Sequence, residues 1–166
     1  MNELPRTLKI ATVWLLVGLA VFLGFRAIEA HQQRSRFSAD GGTIEMRRAA
    51  DGHYHWPGRL RGPRGTVEVD FLVDTGATRS AISAELAREL GLEAIGRVQS
   101  STAGGTVQGE VARADLELDG GVQAARLPLV VLPALGDKPL LGMDVLGRLR
   151  WQQQGGVLRV EPHTAR

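Results

Sequence analysis

The sequence predicts a small, mostly β domain closed on itself in a barrel-like fold with one or two short helices, preceded by an N-terminal transmembrane helix. Three observations point there. From residue 43 onward the chain breaks into many short stretches of alternating or β-branched apolar residues separated by Gly, Pro and Asp-Gly turns. Only two stretches of that region carry helical spacing with start and stop signals. Residues 10–25 carry no charge at all. The expected organisation is an anchor at 1–30, a linker at 31–42 and one domain at 43–166.

The elements follow in order. Ile10 to Phe25 is 16 uncharged residues, slightly short of the roughly 17–25 that a span takes, but Lys9 and Arg26 can snorkel to the headgroups. We read it as a retained signal-anchor. The rival is a cleaved signal peptide ending near Ile28-Glu29-Ala30; the long apolar run and the charges of Arg26 and Glu29 argue against it. Basic residues nearly balance across the span, Arg6 and Lys9 against Arg26, Arg34 and Arg36, and a short amino tail usually stays cytoplasmic. With Arg greatly outnumbering Lys and Ala and Gly abundant, the composition hints at a G+C-rich bacterial genome. The expectation is therefore a single-pass inner-membrane protein with its domain in the periplasm.

His31 to Gly42 is polar and reads as linker. Thr43–Arg47 is a short strand, Asp51-Gly52 a turn, and His53–Leu60 a strand interrupted by Pro57-Gly58. Thr66–Val73 alternates Val67, Val69, Phe71 and Val73 with Glu68 and Asp70, then turns fully apolar, as a strand does on entering a core. Ser83 caps a helix carrying Leu86 and Leu90 on one face, with Glu85 in its first turn and Gly91 as its stop. Ser100–Val107 is a glycine-rich hairpin tip, Ala112–Leu118 a strand, Asp119-Gly120 a turn, and Val122–Leu132 an apolar strand. Leu140-Leu141-Gly142 leads into a short helix, Met143–Leu149, and Gly156–Val160 is the last strand.

Length and composition exclude several chemistries. With 166 residues and no cysteine, there is room for one domain and none for thiol nucleophiles, thiolate metal sites or disulfides. The net charge of +2 falls to +1 without Glu3, Arg6 and Lys9, leaving 18 basic against 17 acidic side chains. The arginines are spread along the chain, and the densest group, Arg59, Arg61 and Arg64, reads as solvated loop. No nucleic-acid partner is expected. His53 and His55 share one face of a strand but have no third ligand nearby in sequence, so they read as solvated surface and no metal is expected.

The chemistry concentrates at Phe71-Leu72-Val73-Asp74-Thr75-Gly76-Ala77-Thr78. An apolar strand running into Asp-Thr-Gly delivers a carboxylate onto a tight turn in a preorganised setting. The tripeptide alone is a weak signal. Its extension to Asp-Thr-Gly-Ala-Thr, the helix after it, the glycine-rich hairpin and the later Leu-Leu-Gly strengthen it. Together these elements resemble the retropepsin-like aspartic proteases, most closely the bacterial membrane-anchored members, over about Thr43 to Val160.

That resemblance implies a retropepsin (acid protease) fold and a division of roles. Asp74 is the catalytic carboxylate facing Asp74 of a second subunit, Thr75 hydrogen-bonds across the dimer axis, and Gly76 lets the backbone pass closely. Ala77 lines the cleft. Ala103, Gly104, Gly105 and Thr106 form a flap over substrate. Leu140, Leu141 and Gly142 support the site from behind, and Asp144 is a structural helix-start residue. It implies an endopeptidase acting as a homodimer on an extended peptide, with no cofactor, because two carboxylates sharing a proton suffice to activate water. The alternative is a non-catalytic, dimeric peptide-binding or scaffold module of the cell envelope; an intact Asp-Thr-Gly argues against it.

Overall fold

The computed structural model describes residues 6–32, 36–39, 41–102 and 105–161. The chain divides into two compact units, Met1–Arg34 and Ser35–Arg166. The first contains one helix, α1 (Arg6–Gln32), of 27 residues. Its described side chains, Thr12 and those of 14–26, are exposed, among them Trp14, Leu15, Phe22 and Phe25. Among the described residues no helix is long and apolar enough to cross a membrane.

The second unit is mostly β. In chain order it comprises β1 (Arg36–Ala39), β2 (Ile44–Arg47), β3 (His55–Gly62), β4 (Gly65–Val73), β5 (Ala81–Ser83), α2 (Ala84–Glu89), β6 (Gly96–Thr102) and β7 (Gly105–Leu118). It continues with β8 (Val122–Leu132), β9 (Leu140–Leu141), α3 (Met143–Leu146), β10 (Arg150–Gln154) and β11 (Val157–Glu161). The main sheet runs β1-β8-β5-β9-β4-β3-β7-β6, and β7 also pairs with β8, so the ladder returns to a strand it has already used. A second sheet runs β10-β11-β2.

Alternation decides which faces are buried. On β3, Trp56, Gly58 and Leu60 point inward while Pro57, Arg59 and Arg61 are exposed. Leu116 and Leu118 of β7, Val122, Leu127 and Leu129 of β8, and Phe71 of β4 meet them in one core. Each such side chain contributes about 1.5–3 kcal/mol on burial. Trp56 satisfies its indole N–H by donating to the Asp119 carbonyl at 2.9 Å, which ties the β7–β8 turn to β3.

The β3 strand is continuous where a break at Pro57-Gly58 was expected. Pro57 pairs with Asp70 of β4, and β7 joins only from Gly58 onward, so the missing N–H interrupts no bond on that side. Residues 36–39, expected as linker, form β1 against 122–125 of β8, with Ala39 buried and Phe37 packed on the core. Four residues carry too little alternation to stand out. The short strands β5 and β10 also went unanticipated, and the helix expected over Met143–Leu149 ends at Leu146, capped by Gly147.

Arg59 and Arg61 lie on the outer face of β3, not in a loop. Arg59 pairs with Glu117 at 2.8 Å with both side chains substantially exposed, so the pair adds about 0–1 kcal/mol. Arg64, in the β3–β4 turn, donates to the Arg88 carbonyl at 3.0 Å.

His55 is not solvated surface. Its Nε2 lies 2.8 Å from Asp51 Oδ2 and its Nδ1 2.9 Å from Asp70 Oδ2, the latter an ion-pair approach without hydrogen-bond alignment. The His53 amide donating to Asp51 and then the His55 contact hold the Asp51 carboxyl down to about 2. This ties the 48–55 turn to β4 immediately before the strand enters the site.

Candidate active site

β4 ends at Val73, and the turn that follows is fixed from three directions. The Asp74 N–H donates to the Leu141 carbonyl at 3.0 Å, and the Asp74 carbonyl accepts from the Ala77 N–H at 3.2 Å. The Gly76 N–H donates to Asp74 Oδ1 at 2.8 Å, so the carboxylate is oriented by its own turn. A methyl on Gly76 would sit 3.2 Å from that same oxygen, a tight approach that would press on the carboxylate. Asp74 is half-buried, while Thr75 and Gly76 are exposed.

Leu140 and Leu141 form β9, only two residues long, wedged between β4 (parallel; Leu72↔Leu140, Val73↔Leu141) and β5 (antiparallel; Ala81↔Leu140). The wedge brings the two ends of the Asp-Thr-Gly loop together. Gly142 continues it and packs against the loop backbone: an added Cβ would lie 2.5 Å from the Arg79 carbonyl carbon and 2.9 Å from the Ala77 oxygen. The Met143 N–H then donates to the Ala77 carbonyl at 2.8 Å.

Beneath the loop lies a network with no sequence signal. Ser80 is fully buried. Its amide and hydroxyl both donate to Asp144 Oδ1, at 2.9 and 2.8 Å, and its Oγ accepts from the Gly142 N–H at 3.0 Å. One hydroxyl thus satisfies two partners, as its donor and acceptor capacity allows. Asp144 is structural, as expected, and Ser80 is its reason. Asp144→Ala strands two buried donors and should cost about 2–4 kcal/mol in urea unfolding, whereas Asp144→Asn keeps an acceptor oxygen and should cost about half as much or less. Equal stability of the alanine variant and the wild type would refute this role.

The remaining expected site residues divide. β6 and β7 form the anticipated hairpin, paired from Gly96↔Val111 to Thr102↔Gly105, with Gly105 at φ 112° and Thr106 exposed. Ala103 and Gly104 lie outside the described residues. The hairpin arms start earlier than the expected 100–107 tip, at Gly96, and this lets the stem line the same cleft as the Asp-Thr-Gly loop.

A cleft of about 880 Å³ opens over the loop, lined by Asp74, Gly76 and Ala77, by Val98 and Gln99 of β6, and by Val107 of β7. Its deeper wall is apolar: Ala81, Val130 and Leu132 form a buried cluster of their own, and Leu135 and Leu140 pack on it. Of these, Leu140 was expected behind the site, whereas Ala81, Val130 and Leu132 went unassigned because β5 was not anticipated and β8 read only as a generic apolar strand. Arg79 on the rim is the one Lys, Arg or His lining the cleft among the described residues.

The loop, the β9 wedge and the hairpin over an apolar cleft are matched by a sequence family. The family described as "gag-polyprotein putative aspartyl protease" matches residues 64–148, 85 of the 166, from the start of β4 past α3. The chain belongs to this family. The match spans the Asp-Thr-Gly loop, the hairpin and Leu140-Leu141-Gly142, and the protein is an aspartic endopeptidase, a hydrolase of retropepsin type. Among solved structures, the crystal structure of a retropepsin-like aspartic protease from Rickettsia conorii is similar at TM-score 0.54 and 22% identity, covering 75% of this chain and 94% of that one. That likeness extends the shared fold beyond the family match. No curated protein matches the chain significantly.

Proposed function

We propose that this aspartic protease is a single-pass, membrane-anchored endopeptidase that works as a homodimer, its domain in the bacterial periplasm. The observation that carries the dimer is the single oriented carboxylate: one Asp-Thr-Gly loop per chain, at the floor of an open cleft. Peptide hydrolysis by this chemistry uses two carboxylates around one water, with one proton shared because neighbouring carboxylates cannot both ionise cheaply. Asp74 of a second copy supplies the other. The deprotonated member takes a proton from the attacking water, and the protonated one supports the developing oxyanion and returns a proton to the leaving amine.

Thr75 fits a place on the two-fold axis, being exposed and having no hydrogen-bond partner among the described residues. The substrate lies extended under the flap, its backbone pairing as an added strand and alternate side chains entering the apolar wall. The deciding experiment is peptide cleavage by the full chain beside Asp74→Asn, argued in the Discussion.

The anchor rests on the 16 uncharged residues from Ile10 to Phe25 within a helix of 27 residues, a run just short of the roughly 17–25 of an unaided span that Lys9 and Arg26 extend by snorkelling to the headgroups. Expressed in a bacterium, the full chain should stay in the membrane pellet after alkaline wash, and deletion of residues 1–30 should release it. A soluble full-length chain would overturn the anchor and leave the protease assignment untouched.

A further inference from the structure

The cleft has an apolar wall and, apart from Asp74, a single charge. Arg79 is that charge; Asp74 is the one acidic side chain lining the same cleft, no ion pair joins the two, and the Arg79 guanidinium has no ion-pair or hydrogen-bond partner among the described residues. An arginine free to wander would mean little, but this one leaves a fixed backbone. The carbonyl of residue 79 is packed against Gly142, and the next residue, Ser80, is clamped by Asp144 and by the Val130 N–H donating to its carbonyl at 3.0 Å. The base of the side chain is therefore fixed through Gly142 and Asp144, which follow closely on the Leu141 whose carbonyl accepts from the Asp74 N–H.

From this we infer that Arg79 selects substrates: the enzyme prefers extended segments carrying a carboxylate a few residues from the scissile bond, beside aliphatic residues that fill the wall of Val130, Leu132 and Leu140. The inference rests on the proposed peptidase reading and deepens it. A guanidinium suits a carboxylate because its fork of N–H donors matches the two oxygens. In a two-fold dimer each copy presents its own Arg79, so the preference appears at mirrored positions on both sides of the cut. Arg79 is exposed, which moderates the gain, and salt weakens it.

The test compares peptides identical except for Glu, Gln or Lys at each of four positions on either side of the scissile bond, cleaved by the full-length wild type, Arg79→Ala and Arg79→Glu. The Glu-to-Gln-to-Lys ratio of kcat/KM is read within each variant, so any general loss of activity cancels. Wild type should favour Glu over Gln by about 2- to 5-fold at one position per side at low ionic strength, less at high. Arg79→Ala should level the ratio and Arg79→Glu should turn it toward Lys. Binding of the same labelled peptides to Asp74→Asn and to Asp74→Asn/Arg79→Glu reads the preference without turnover. A charge-blind wild type, or a Glu preference that survives Arg79→Glu, overturns the inference while loss of cleavage in Asp74→Asn keeps the peptidase reading. Cleavage that persists in Asp74→Asn overturns that reading instead.

Discussion

Asp74→Asn should reduce peptide cleavage about a thousandfold or more while leaving the fold and its melting temperature nearly unchanged. The substitution is nearly isosteric. The Gly76 N–H can still donate to the amide oxygen as it does to Asp74 Oδ1 at 2.8 Å, and the backbone bond to Leu141 is independent of the side chain. What is lost is a group able to accept a proton from water, and no other titratable side chain among the described residues lines the cleft near enough in character to replace it. Unaltered cleavage in this variant would remove the aspartic mechanism. A wild type that binds peptides tightly yet never cuts them, under mildly acid to neutral conditions, would favour the binding-module alternative.

Mixing sharpens the same result into a statement about subunits. If each active site draws one Asp74 from each copy, a variant subunit inactivates the wild-type partner it captures. At equal mixing, after exchange, activity per wild-type chain should fall to about half, and at ninefold excess of the variant to about a tenth, as random pairing in a two-fold dimer requires. Activity indifferent to added variant would mean that one chain is sufficient.

The parts of this site that could be read from sequence are those whose determinants are local. The strand into Asp74 announces itself by alternation that turns apolar, and the Ser83 cap is visible because its acceptor and the Leu86 N–H it satisfies, at 3.2 Å, lie three residues apart. The hairpin was legible at its glycine-rich tip but not along its stem, where Arg97, Gln99 and Ser100 hide the inward-facing Val98. Ser80 was invisible because its partner Asp144 is 64 residues away and a buried serine has no periodic signature. The two-residue β9 owes its extended form to β4 and β5 on either side, a tertiary cause that no propensity within Leu140-Leu141 expresses. Arg79 drew no reading from the sequence, because only the folded chain places it on the lining of the cleft.

Gly142→Ala should be the most disruptive single-methyl change among the site residues, costing about 3 kcal/mol and roughly 10 °C in melting temperature. Gly142 does not need a glycine for its dihedral angles, since its φ of −96° is open to any residue. Space is the cause. An alanine methyl would meet the carbonyl carbon of Arg79 at 2.5 Å, its oxygen at 2.8 Å and the Ala77 oxygen at 2.9 Å, all backbone atoms that cannot rotate away. Relief requires α3 and the Asp-Thr-Gly loop to separate, which loosens three bonds at once: Gly142 N–H to Ser80 Oγ, Met143 N–H to the Ala77 carbonyl, and Asp74 N–H to the Leu141 carbonyl. Because the last of these places Asp74, activity at a temperature where the variant is still folded should drop about tenfold or more, small displacements of reacting groups being costly. Gly96→Ala is the matched control, since a methyl there meets nothing within 4 Å, and it should change stability by less than about 0.5 kcal/mol. If Gly142→Ala melted and cut like the control, the loop would have to be softer than its contacts allow, and the wedge would lose its role in positioning the carboxylate.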